Sequence, residues 1–245
     1  MTRKQYFLSG LKDGMPICFG YFAVSFAFGI QAAGIGLSVF EASVLSALNV
    51  TSAGQFAALA IIASGASLIE LAFTQLIINL RYFLMSCALS QKLSPSLPLG
   101  HRLGIAYGMT DEIFAVSVSQ REPLSPFYSY GLIAVAIPGW VLGTALGAAA
   151  GNILPAVLTN ALGIAIYGMF IAIILPPAKE NRVVAGVVVL SMVLSALFTY
   201  LPVLCNISSG FRIIVITLIT AGGAALLFPI PDEPAEPKKE MPHEG

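Results

Sequence analysis

SLIELAFTQLIINLRYFLMSCAL, residues 67–89, decides what kind of molecule this chain builds. A transmembrane helix needs about 20 predominantly apolar residues, and this stretch supplies them. It also carries Glu70, Thr74, Gln75, Asn79 and Arg81. At 100° per residue, Glu70, Thr74 and Arg81 fall on one stripe, and Gln75, Asn79, Tyr82 and Ser86 on another. Polar groups in lipid need a partner or a wet cavity. A helix polar on two stripes is therefore expected at the centre of a bundle. Glu70 and Arg81 lie about 16 Å apart along a straight helix and cannot pair with each other. Arg81 sits too deep to reach water freely, and the nearest acidic groups in sequence are Asp111 and Glu112.

Working outward from that helix, further apolar segments fall at 15–35, 40–63, 103–119, 128–150, 157–175, 183–201 and 211–228. The expectation is an all-α integral membrane protein with seven or eight transmembrane helices. Residues 1–14 form a cytoplasmic segment, 15–230 one transport domain, and 231–245 a disordered tail rich in Pro, Glu and Lys. Composition agrees. The chain is 57% hydrophobic and 10% charged, whereas soluble domains carry about 25% charged residues. Its 23 glycines and 15 prolines suit a bilayer, where neighbouring helices re-satisfy freed backbone groups. Zero net charge gives nucleic-acid binding no electrostatic support. Cys18, Cys87 and Cys205 lack metal spacing and read as small buried apolar residues. His101, expected in a loop, and His243 in the tail suggest no metal, and no cofactor is expected.

Segment 103–119 is short and contains two carboxylates. If it spans, Arg3, Lys4, Lys12, Arg121, Lys179, Arg182, Lys238 and Lys239 lie inside, and Lys92, Arg102 and Arg212 outside. If it is re-entrant, the two halves flip. A faint echo relates 48–56 to 162–170 at Leu, Gly and Phe, and Pro16 with Gly29 to Pro138 with Gly151 at equal spacing. Repeats would cover 15–90 and 128–202, parallel if 103–119 spans and inverted if it does not. Duplicated halves are common in secondary transporters.

Candidate chemistry lies in three places. Asn49, Thr51, Ser52 and Gln55 surround Gly54 midway along segment 40–63. Small and hydroxylated residues beside Gly let a helix unwind, and freed N–H groups would face a ligand carboxylate. Interhelical packing also gathers such residues, although packing does not need the length of Gln55. Asn79 and Arg81 come from the quoted helix. Asp111 and Glu112 are adjacent carboxylates in an apolar run, suited to proton uptake and release if buried, or else a solvated bend at the membrane surface. Asn160 and Tyr167 read as structural, and Trp140, Tyr128 and Tyr130 as interface or packing aromatics.

These elements resemble the AzlC family of branched-chain amino acid permeases. The resemblance covers about residues 5–230. It rests on Gly14-Met15-Pro16 through Gly20-Tyr21 and Gly29, Ser52-Ala53-Gly54-Gln55-Phe56, Asn79-Leu80-Arg81, and Thr110-Asp111-Glu112. It implies export of such amino acids across a bacterial inner membrane and a second, small membrane subunit of the AzlD type. One departure stands out: the family usually has His where this chain has Tyr82.

The residues and the resemblance together give an expected exporter coupled to the proton gradient. A zwitterionic amino acid would bind Asn49, Thr51, Gly54, Gln55, Asn79, Arg81, Asp111 and Glu112. Its carboxylate would meet the backbone around Gly54, its ammonium Asp111 or Glu112, and its side chain Phe56 and Phe114. A non-transporting scaffold subunit and a membrane enzyme are the rivals. Against the enzyme stands the lack of a His cluster, a Cys–His pair or a Gly-x-Ser-x-Gly elbow.

Overall fold

The computed structural model describes residues 2–120, 124–151, 153, 171, 174–201, 204 and 206–229. The described residues form helices α1 (Arg3–Gly34), α2 (Val39–Leu48), α3 (Ser52–Ala63), α4 (Leu68–Lys92), α5 (Leu99–Tyr107), α6 (Asp111–Val118), α7 (Pro126–Gly151), α8 (Arg182–Tyr200) and α9 (Ser209–Thr217). A π-helical turn (Leu218–Gly222) joins α9 to α10 (Gly223–Leu227). Residues 174–180 are also helical. Among the described residues, five helices are long and apolar enough to cross a bilayer: α1, α4, α7, α8 and the continuous run Ser209–Leu227.

At the centre, α1 and α7 pack along their length. Gly139, Gly143, Gly147 and Gly151 recur every fourth residue on α7, the spacing that lets helix backbones touch in lipid. A Cβ at Gly147 would collide with the Phe26 carbonyl, and one at Gly29 with the Thr144 carbonyl. The pairing runs in one direction: Gly10 beside Tyr128, Cys18 beside Gly139, Phe26 beside Gly147. The two helices are therefore parallel, with Pro16 and Pro138 at matching heights. The rest of the second repeat, 162–170, lies outside the described residues, as do Asn160, Tyr167 and the tail.

Segment 40–63, expected as one spanning helix, is two short helices folded into a hairpin. α2 runs against α7, with Ser46 bonded to Thr144 and Ala42 packed near Ala148. The chain then leaves helical geometry at Asn49 (φ −124°, ψ 80°) and Thr51 (φ −136°, ψ 99°). α3 returns alongside: Gln55 reaches back to Ser46, and Leu59 shares a core with Ala42 and Phe28. Ten and twelve residues give about 15 and 18 Å, half a membrane each. Gly65, at φ 66°, supplies the left-handed turn that ends α3.

Segment 103–119 is likewise a hairpin, and it begins earlier, at Leu99. α5 enters beside α7, with His101 near Phe127 and Tyr130, and Gly108 against Ile133. The chain breaks over 108–110. α6 then leaves beside α4, from Asp111 at Arg81 to the Val118 carbonyl, which accepts from Lys92. His101 is thus helical rather than in a loop.

Both hairpins being re-entrant corrects the orientation tally and the repeat rule. Lys92 and Arg102 lie at the end that holds Arg3 and Lys12, because Leu124, at the foot of α7, bonds Lys92 and Arg3 covers Phe127. A re-entrant 103–119 does not invert α7 relative to α1, because 40–63 drops a crossing too. Three further expectations change. α1 starts at Arg3, capped by Thr2 and Gln5, so residues 3–14 belong to the helix. α4 is peripheral, exposing Leu76, Leu80 and Phe83, and α1 with α7 takes the centre. Cys87 is exposed on α4.

The inversion that the fold does contain relates shorter units. α1 followed by hairpin α2–α3, and α4 followed by hairpin α5–α6, repeat one design pointing opposite ways. Each hairpin breaks over three residues, Asn49-Val50-Thr51 and Gly108-Met109-Thr110, and each second arm starts after a threonine N-cap.

Candidate functional site

The two hairpin tips meet. Tyr107, just before the second break, donates to the Ala47 carbonyl, just before the first (2.5 Å). Beside the joint is a cavity of about 430 Å³. Val50 and Ser52 reach it from the first tip, Thr110, Asp111 and Glu112 from the second. Pro16, Gly20 and Tyr21 of α1, Tyr82 of α4 and Trp140 of α7 close the walls.

The two tips bring different chemistry. The first N–H groups of α3 have no intrahelical partner, and no side chain caps them; the Thr51 hydroxyl donates to Asn49 Oδ1 (2.7 Å). That end of α3 is a fixed partial positive charge. On α6, the Thr110 hydroxyl accepts from Ile113 N–H (3.3 Å), and Asp111 and Glu112 occupy the first turn, where the dipole favours anions. Arg81 lies 3.0 Å from Asp111 with both side chains half-exposed. The Tyr21 hydroxyl donates to Glu112 Oε2. Arg81 also donates to the Tyr82 hydroxyl (3.1 Å) and stacks on that ring. Tyr82 thus joins the ion pair to the cavity wall.

Of the eight residues expected at the site, Asp111 and Glu112 line the cavity. Arg81 stands behind Asp111. Asn49, Thr51, Gly54 and Asn79 belong to an adjoining network centred on Gln75, which accepts from Asn49 (3.2 Å) and Asn79 (3.1 Å) and donates to the Gly54 carbonyl (2.7 Å). That network fastens the first tip to α4. Gln55 is fully buried. Its carbonyl accepts from Trp140 Nε1 and its amide donates to Ser46, both at 2.8 Å. The length that suggested a ligand contact spans from α3 to α7 and α2. Phe56 packs edge-on against Phe28 and Phe114 against the α1–α7 core, so neither faces the cavity.

Tyr21, Trp140 and Thr110 are wall residues that the sequence reading did not assign to the site. Trp140 is the sole tryptophan; its ring meets Tyr21 edge-on at 5.2 Å. Its position within an apolar helix hid its role, since packing aromatics look the same.

Five apolar helices of membrane-crossing length, with two inverted half-helix hairpins meeting at a cavity, define an all-α integral membrane protein. The sequence profile of the AzlC protein family matches residues 16–154, from the cavity's Pro16 past the end of α7, and the chain belongs to that family. It is 35% identical over 189 residues to an uncharacterized membrane protein of Archaeoglobus fulgidus, covering 76% of this chain and 83% of the relative. It is 31% identical over 184 residues to inner membrane protein YgaZ of Escherichia coli, covering 72% and 75%. No solved structure matches.

Proposed function

We propose that this chain is the large subunit of a secondary transporter that exports branched-chain or similar small apolar amino acids, coupled to the proton gradient. The observation that carries the proposal is the convergence of an uncapped helix N-terminus and two carboxylates on one cavity. Discontinuous helices meeting mid-membrane are the usual setting of transporter sites. The substrate carboxylate is assigned to the N-terminal N–H groups of α3 with Ser52. The ammonium is assigned to Asp111 and Glu112, and the apolar side chain to Ile17, Val24, Val50 and Trp140. Asn49, Thr51, Gly54, Gln55, Asn79 and Arg81 act behind the wall by holding the two tips. Asp111 is the carboxylate assigned to proton exchange once the substrate leaves. A small AzlD-type membrane subunit is the proposed partner.

Support for a bacterial inner membrane comes from the name of the E. coli relative. Arg3, Lys4, Lys12, Lys92 and Arg102 share one end, and no Lys or Arg occurs between Lys12 and Arg81. By the positive-inside rule that end is cytoplasmic.

The test is valine efflux from proteoliposomes holding the purified protein with and without its small subunit. Asp111→Asn and Glu112→Gln are expected to lower efflux at least tenfold. The stability of Asp111→Asn should change by less than about 1 kcal/mol, as for a half-exposed ion pair. Efflux at the parental rate in both variants refutes the site. No movement by the parental protein in either preparation favours the scaffold, and a covalently altered product favours an enzyme.

A further inference from the structure

Away from the cavity, α8 and the run Ser209–Leu227 enclose a second hollow, a groove of about 360 Å³. The two run antiparallel, because the Thr199 hydroxyl near the end of α8 accepts from Arg212 near the start of α9. Arg182, Gly186 and Leu190 recur every fourth residue along one wall, and Ile219, Gly223 and Leu227 along the other. The space exists because the middle of both walls is glycine: a Cβ at Gly186 or Gly223 would meet nothing within 4 Å. A π-helical turn lies in the second wall, a distortion frequent at functional sites. The Thr220 hydroxyl donates to the Ile216 carbonyl (2.7 Å) and leaves the groove no free donor there. Leu190, Ile219 and Leu227 are exposed, so the groove opens on the bilayer.

The one charge on its wall is Arg182, at one end. Its guanidinium makes no hydrogen bond or ion pair among the described residues. The first turn of α8 carries no acidic residue, so the positive end of the helix dipole adds to the arginine's charge. Lys179 and Glu180, just before it in sequence, offset each other. Gly210 N–H donates to Glu70 in the first turn of α4, which places the start of α9 opposite the end that holds Arg3 and Lys92. Arg182 therefore lies at the same end as Arg3 and Lys92.

We propose that the groove binds one acyl chain of an anionic phospholipid, with the lipid phosphate on Arg182. From Arg182 to Leu190 the groove is about 12 Å long, which keeps it within one leaflet of a core about 30 Å thick. A helix of that length, about 10 Å across, occupies about 900 Å³, more than twice the groove. A slender chain fits where a partner's helix does not. An amino acid would find no acceptor for its ammonium. Basic pockets between helices on the cytoplasmic side are the usual seats of anionic headgroups. The cytoplasmic leaflet follows from the orientation proposed above; the binding itself does not depend on the transport reading.

Native mass spectrometry of the full chain, offered equal amounts of phosphatidylglycerol and phosphatidylcholine in detergent, tests this. One phosphatidylglycerol is expected to stay bound, favoured over phosphatidylcholine by about fivefold, the factor one basic residue supplies near a membrane surface. Arg182→Gln should bring the preference close to parity, and Gly186→Leu, which fills the groove, should remove the bound lipid. Lys179→Gln makes the same charge change outside the groove and should leave the preference intact. An unchanged preference in Arg182→Gln, a lipid retained in Gly186→Leu, or an equal drop in Lys179→Gln overturns the proposal. So does loss of the lipid when the small subunit is added, which would give the groove to that subunit.

Discussion

Gln55→Leu removes the amide that joins three helices while nearly keeping the side chain's volume. Trp140 Nε1, itself in a residue 2% exposed, loses its acceptor. Orphaning a buried donor costs about 1–3 kcal/mol. The bond to Ser46 is worth about 0.5–1 kcal/mol more, because Ser46 keeps Thr144 at 2.7 Å. The expected loss is about 2–3 kcal/mol, with a floor near 1 kcal/mol if the bonds have the lower values measured between helices in lipid. For a protein of this size each kcal/mol moves Tm by about 2–4 °C, so the midpoint should fall by about 4–12 °C. The chain has one tryptophan, so emission reports this bond alone. With the indole N–H unpaired, the maximum should move to shorter wavelength. Thermal unfolding in detergent, followed by that emission, measures both quantities. A variant with the parental Tm and the parental emission maximum would refute the claim that Gln55 holds the hairpin arms and the cavity wall together.

Two further outcomes are expected. Gly147→Ala forces a Cβ onto the Phe26 backbone and should cost about 1–3 kcal/mol, read as a lower Tm, whereas Gly186→Ala, with open space around it, should leave Tm unchanged or higher. In a background lacking Cys18, Cys87 and Cys205, Ser96→Cys should be labelled by a membrane-impermeant thiol reagent on the side of the N-terminus and Ser64→Cys on the other; eight simple spans would give the reverse.

Membrane class, α-helical content and the extents of α4, α7 and α8 were legible because lipid demands long apolar runs, and residues 68–92, 126–151 and 182–200 show them without ambiguity. The hairpins were not legible, because hydropathy measures affinity for lipid and not direction. Segment 40–63 is as apolar as a spanning helix, and its turn at Asn49-Val50-Thr51 carries neither glycine nor proline. The unwinding itself was legible from the polar cluster, but it lies at 49–51 rather than at Gly54, which sits in the first turn of α3. Arg81's need for a neighbour pointed to Asp111 or Glu112, and Asp111 lies 3.0 Å away. The functions of Gln55 and Trp140 were hidden for one reason: a long amide and an indole in lipid each look the same whether they face a ligand or each other.

The hairpins' opposite entry has a mechanical consequence. In α1 with α2–α3 and α4 with α5–α6, the chain builds one unit twice, upside down relative to itself. The two are not held alike. The first tip is fixed through Gln75 and Gln55, neutral amides whose bonds are buried or part-buried. The second is fixed through Arg81 with Asp111 and Tyr21 with Glu112, charged contacts on the cavity wall. On the proposed assignment, a ligand ammonium would compete for the second set and leave the first intact. Binding of that kind would act on the α5–α6 tip, with α2–α3 still clamped to α4 and α7. Alternating access in inverted-repeat carriers moves one repeat against the other around a fixed site. A carrier built this way would change the access of its cavity by freeing and re-engaging the α5–α6 tip against a fixed α2–α3 hairpin.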